Sequence, residues 1–140
     1  MLCDRHGHPL HVHLTAGQTH ESQALEALLE GAVVSGEEAD EPLRPVRLAG
    51  DKGFRADWID EYLLAAGITP VIPSKSNEDR AARPVEFDCA AYRERNIIER
   101  LIGWLKESRR IFTRFEKSAK NYLGMLKLAF IHHYLRLICC

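Results

Sequence analysis

Two short apolar runs joined by a helix constrain this chain most. Val46–Ala49 ends at Gly50-Asp51-Lys52-Gly53, residues 55–66 carry helical patterning closed by Gly67, and Ile68–Ile72 is a second apolar run ended by Pro73. Strand, helix and strand in so few residues make a βαβ-type connection and predict a layered α/β arrangement. Asp51 then lies at the carboxyl end of a strand, where open α/β sheets place their chemistry.

The flanking segments extend this pattern. Residues 1–4 and 9–15 read as a hairpin: Asp4-Arg5-His6-Gly7-His8-Pro9 supplies the turn, and Leu10, Val12 and Leu14 alternate with polar residues. Residues 20–33 read as a helix with Leu25, Leu28 and Leu29 on one face. Residues 35–45 and 74–87 are polar loops. From residue 89 the chain is helical, with a break near 113–117 and a further helix through Tyr134. The order is β-β-α-β-α-β-α-α, and 140 residues fit one domain.

Inside AYRERNIIERLIGWLKESRR the residues Tyr92, Arg95, Glu99 and Lys106 follow a Y-x2-R-x3-E-x6-K spacing. At about 100° per residue all four fall within about 40° of Glu99. Arg110 and Gly103 share that stripe, while Ile97, Leu101, Trp104, Leu105, Ile111 and Phe112 take the other side. A carboxylate among cations and a phenol suits metal and phosphate. The plain alternative is a half-solvated helix in which Glu99 and Arg95 form an ordinary i,i+4 pair. Trp58 and Trp104 are expected in the core, from their apolar helical neighbours.

The net charge of −1 conceals an asymmetry. Residues 1–88 hold 8 Lys/Arg against 16 Asp/Glu, and residues 89–140 hold 11 against 4. A basic helical half of +7 suggests a polyanion partner, unless the halves neutralise each other. No segment reads as a signal peptide or a membrane span. Cys3, Cys89, Cys139 and Cys140 show neither metal-site nor disulfide-framework spacing, so a reducing cytoplasm is the expected location.

Asp51 and Glu99, flanked by cations, suit Mg²⁺-dependent phosphodiester chemistry, because Mg²⁺ is hard and prefers carboxylate and phosphate oxygens. Four segments support this: DRHGHPLHVHLTAGQTHES, LAGDKGF, YRERNIIERLIGWLKESRR and IFTRFEKSAKNYLGMLKLAF. With them the chain resembles, over most of its length, the catalytic domain of bacterial insertion-sequence DDE transposases, in the branch marked by the Y-R-E-K spacing. The resemblance implies a ribonuclease H-like mixed sheet flanked by helices, with a helical C-terminus. It implies that Asp51 and Glu99 are catalytic metal ligands for Mg²⁺, with Mn²⁺ as a substitute. Tyr92, Arg95 and Lys106 would contact transposon-end DNA, and Arg110 and Arg114 belong to the same basic, phosphate-contacting face. The implied reaction cuts DNA to expose a 3′-hydroxyl and transfers that hydroxyl onto target DNA.

One departure matters. The family's first acid lies on a strand upstream of the hairpin, and here the sequence opens at the hairpin. Asp4 matches instead the Asp of a D-x-x-G turn. The expectation is a truncated catalytic domain, or the second of two reading frames. It would lack its first, central strand, be inactive alone and be poorly stable, because neighbouring strands lose their pairing partner. Its partners would be DNA and either another transposase copy or the upstream part of the same enzyme, in the bacterial cytoplasm at the nucleoid. A different class of reading is a catalytically dead remnant that binds DNA or an intact transposase. A third is a zinc module built on His6, His8, His11 and His13. Zinc needs tetrahedral convergence, which a turn and a strand face do not supply.

Overall fold

The computed structural model describes residues 1–32, 44–113 and 116–139, without the side chains of Arg80, Arg110 and Phe112. In chain order the elements are β1 (Leu2–Cys3), β2 (Pro9–His11), α1 (Leu25–Gly31), β3 (Arg47–Ala49), α2 (Asp57–Ala65), β4 (Thr69–Val71), α3 (Cys89–Glu94), α4 (Asn96–Glu107), α5 (Arg109–Phe112) and α6 (Ala119–Cys139). The protein is thus mixed α/β, with one antiparallel pair, β1–β2, and one parallel pair, β3–β4, among the described residues. The expected 35–45 loop falls largely on residues 33–43, which lie outside the described residues. Among the described residues no helix is long and apolar enough to cross a membrane. The chain divides into two compact units.

The first unit comprises Met1–Gly17, Ala27–Ala32 and Asn96–Cys140. Its hairpin closes through Asp4. Oδ1 accepts from the N–H groups of His6 (2.8 Å) and His8 (2.9 Å), and Oδ2 meets His8 Nδ1 at 2.9 Å. Gly7 adopts φ 87°, where a side chain is strained. Its bare Cα also admits Ile97, whose Cγ1 would stand 3.0 Å from an added Cβ. The apolar stripe read along α4 becomes core: Leu101 and Leu105 are buried with Ile111, Leu126 and Ala129, and Trp104, Ile98 and Val12 pack around them. Full burial of a Leu side chain contributes about 1.5–3 kcal/mol, so this cluster holds the hairpin and the helices of the unit together. Tyr134 of α6 also donates to Pro9 O at 3.0 Å.

The second unit comprises Gln18–Glu26 and Val33–Arg95 and contains the βαβ connection. β3 and β4 run parallel, with Arg47, Leu48 and Ala49 opposite Thr69, Pro70 and Val71. Between them α2 ends as its sequence dictates. Gly67 takes φ 74°, the Gly67 N–H donates to Leu64 O at 3.0 Å, and the Ile68 N–H donates to Leu63 O at 2.8 Å. This Schellman cap turns the chain into β4. Ile59 and Leu63 of α2 and Val71 and Ile72 at β4 are buried.

Two expectations require correction. Trp58 is 42% exposed, because Ile59 and Leu63 hold the inward side of α2 and Trp58 sits one residue, about 100°, off that side. The helix expected to run on from residue 89 is also interrupted. At Arg95 the N–H donates to Tyr92 O, an i→i−3 bond of 3.1 Å, before α4 begins at Asn96. A tighter turn advances by more than 100° per residue, so one uniform helical phase does not carry from Tyr92 to Glu99.

Acid should weaken the first unit before the second. Burial pushes the imidazoles of His11 and His133 below their ordinary value, aided by His13 and Lys127 for the former and by His8 and Arg136 for the latter. His133 Nε2 is buried without a hydrogen-bond partner. The unfolded chain therefore takes up these protons first, and stability is lost as pH falls from about 6.5 through the lowered folded values. In the second unit Arg55 holds the Glu78 carboxyl low, and the N–H groups of Ala91 and Ala90 do the same for Asp88, with Arg47 beside it. Those contributions persist until pH drops below the ordinary carboxylate values of about 4. His132 and His133 lie on Trp104, at ring separations of 6.1 and 5.1 Å. Urea unfolding followed by Trp104 in a Trp58→Phe background should show a lower midpoint at pH 5.5 than at pH 7.5. A flat midpoint would remove the imidazoles from the account.

Candidate active site

Asp51 lies one residue beyond β3, after Gly50, and caps a single 3-10 turn, Lys52–Phe54. Its Oδ1 accepts the Gly53 N–H at 2.8 Å, and its backbone carbonyl accepts the Phe54 N–H at 3.1 Å. No hydrogen bond among the described residues engages Oδ2. Asp51 as a residue is half-buried, and among the described residues its carboxylate is held through one oxygen. Gly50 brings β3 against β4, and its N–H donates to Val71 O at 3.3 Å.

The 3-10 turn ends at Arg55, and there lies the part of the site that sequence reading missed. Arg55 is 5% exposed, and its guanidinium reaches Asp57 (2.7 Å), Asp60 (3.4 Å) and Glu78. Asp60, 2% exposed, also takes a two-pronged contact from Arg83: Nε to Oδ2 at 2.7 Å and Nη2 to Oδ1 at 2.8 Å. Arg83 Nη1 donates onward to Ile72 O and Ser74 Oγ. Burial acts to lower the Arg55 pKa, but the carboxylates of Glu78, Asp57 and Asp60 raise it above its ordinary value. The turn carrying Asp51 is thereby fastened to α2 and to the segment after β4. One sequence signal was present: Asp60 adjoins Ile59 beside the inward side of α2, an awkward place for a lone acid.

Asp88 caps α3, accepting from Ala90 N–H (3.0 Å) and Ala91 N–H (2.9 Å), and receives Arg47 of β3 at 3.1 Å. α3 is thus tied to the strand that leads to Asp51. Tyr92 and Arg95 come together, with the Arg95 guanidinium 5.5 Å from the centre of the Tyr92 ring, and Phe87 flanks Tyr92 at 5.2 Å. Glu99 and Lys106 are exposed on α4, in the first unit, and Gly103 between them has open space around it. Asp51, Tyr92 and Arg95 belong to the second unit. Nothing is described of the Arg110 side chain, and Arg114 lies outside the described residues.

The family described as "Transposase DDE domain" matches residues 1–133. This chain belongs to the DDE transposases. Comparison with curated proteins and with solved structures gave no match. Its function class is therefore transposition, with DNA as substrate.

For a DDE transposase the carboxylates are the first concern. Asp51 offers an unengaged hard oxygen of the kind Mg²⁺ prefers, so this residue fits a divalent cation. Asp4 does not, because both of its oxygens are committed within the hairpin turn. Among the described residues no three His, Cys, Asp or Glu side chains converge as a metal-binding group. The zinc alternative fares poorly on contacts as well: His8 is occupied by Asp4 and packs near Tyr134 and His133, at ring separations of 6.0 and 5.8 Å.

Proposed function

We propose that this chain is part of the catalytic domain of an insertion-sequence transposase of the Y-x2-R-x3-E-x6-K branch, cutting and joining DNA with Mg²⁺, or Mn²⁺ in its place. The observation that carries the reading is Asp51, presented at the carboxyl end of β3 with one oxygen fixed and one open. Asp51 and Glu99 are the proposed ligands. The bound ion would supply Lewis-acid stabilisation of the phosphoryl oxygens. Arg95, steadied over the Tyr92 ring, and Lys106 hold the end DNA by its phosphates, with Arg110 and Arg114 extending that surface. Two-ion phosphodiester chemistry normally uses a third acid. Asp4 is committed within the hairpin turn, so the proposed source of the third acid is another part of the enzyme or another transposase copy. The antiparallel hairpin and the parallel βαβ connection, each taken by itself, are of the kind a ribonuclease H-like mixed sheet contains.

The test is DNA binding. A basic helical half should give end-DNA affinity that falls steeply with salt. Replacing Arg95 or Lys106 with Ala should weaken end binding and lower the slope of log K against log salt by about 1 for each phosphate no longer neutralised. Slopes and affinities identical to the parent in both variants would remove them from the DNA interface. A remnant that only binds DNA would behave the same way here, and strand cleavage separates it from the enzyme.

A further inference from the structure

We propose that Gly53 is a positioning residue for Asp51, setting which carboxylate oxygen faces a cation; this rests on Asp51 being a ligand. A glycine in a G-D-K-G segment is ordinarily explained by backbone conformation. That account fails here, because Gly53 is not among the glycines with positive φ, which among the described residues are Gly7 and Gly67. An alanine could adopt the same backbone. What it could not do is share space with the carboxylate. A Cβ built on Gly53 would stand 2.9 Å from Asp51 Oδ1, and the next atom near it is Asp51 Cγ at 3.9 Å. Apart from the chain neighbours Lys52 and Phe54, no other described residue comes within 4 Å of it. The whole steric consequence of a side chain at position 53 therefore falls on one oxygen, the oxygen that the Gly53 N–H holds at 2.8 Å.

The two effects act together. The N–H draws Oδ1 toward residue 53, and the missing Cβ lets it settle where a Cβ would stand 2.9 Å away. With Oδ1 fixed there, Oδ2 is turned outward, free of hydrogen bonds among the described residues. An alanine would force Oδ1 back by about half an ångström to reach ordinary contact at 3.4 Å. The displaced atom is the end of a side chain, so the fold relaxes easily while the ligand oxygen moves. Loss of a group that orients a metal ligand costs about 10–100-fold in metal affinity.

The experiment compares the full chain with Gly53→Ala and Asp51→Asn. Mn²⁺ is titrated while amide signals near residue 51 are followed for paramagnetic broadening, and thermal midpoints are recorded alongside. Asp51→Asn is expected to remove the local broadening. Gly53→Ala is expected to shift the Mn²⁺ concentration for half-broadening upward by about 10-fold, with an unchanged thermal midpoint. If Gly53→Ala binds Mn²⁺ like the parent while Asp51→Asn does not, the positioning role is wrong and the ligand reading stands. A lowered midpoint in Gly53→Ala would make the glycine a folding residue and overturn the proposal. Broadening that survives Asp51→Asn unchanged overturns the ligand reading, and the proposal with it.

Discussion

Asp60→Ala is expected to destabilise the second unit by about 3–5 kcal/mol, the cost of breaking a buried ion pair by removing one partner. Asp60 is the centre of the buried charge cluster. It receives two hydrogen bonds from Arg83 and the near approach of Arg55. Both guanidinium groups are buried, and Arg55 already has Nε and Nη1 without hydrogen-bond partners. Without Asp60 the desolvated Arg83 has only Ile72 O and Ser74 Oγ. A loss of this size is a large fraction of the 5–15 kcal/mol typical of a domain. Replacing the pair with apolar residues, Asp60→Leu with Arg83→Met, should cost less than Asp60→Ala alone, since neither charge remains to be buried. Urea unfolding read through Trp58 in a Trp104→Phe background measures both. A cost below about 1 kcal/mol, the range of exposed pairs, would mean that water reaches the cluster.

That cluster also marks where sequence reading stopped. Hydrophobic period gave β3, α2 and β4 nearly to the residue, and Gly67 gave the cap, because each signal is local. The two sides of α4 were legible for the same reason: Leu101 and Leu105 recur at helical spacing and are buried, while Glu99 and Lys106 are exposed. Arg55, Asp60, Glu78 and Arg83 have no shared period. Two of them sit in a stretch that reads as polar loop, and only the folded chain brings them together. The interruption at Arg95 was hidden because one i→i−3 bond leaves no compositional trace. Gly53 was visible as part of a motif, but its reason was not: a distance to Asp51 Oδ1 cannot be read from letters. The candidate residues could be named from the sequence, whereas the contacts that hold Asp51 could not.

Asp51→Ala and Glu99→Ala are each expected to abolish strand cleavage and joining while leaving end binding in place. A metal ligand stabilises the transition state by several kcal/mol, so its loss corresponds to at least about 1,000-fold in rate. Neither residue is proposed as a phosphate contact, so binding should survive. That separation distinguishes the catalytic reading from a DNA-binding remnant, in which neither substitution changes anything measurable. The assay is cleavage of DNA carrying the element's ends with Mg²⁺ or Mn²⁺. It compares the present chain, the chain supplemented with a strand that bears a third acid, and the supplemented chain with either substitution. The present chain alone is expected to bind without cutting, because Asp51 and Glu99 need a third acid and Asp4 is held by His6 and His8. Releasing Asp4 for metal would also take away the contacts that close the hairpin turn, so it cannot serve both ends. Robust, Asp51-dependent cleavage by the present chain would place the third acid within residues 1–140. Asp4→Asn would then decide the matter: unchanged cleavage clears Asp4, and abolished cleavage with an intact thermal midpoint assigns it to the metal.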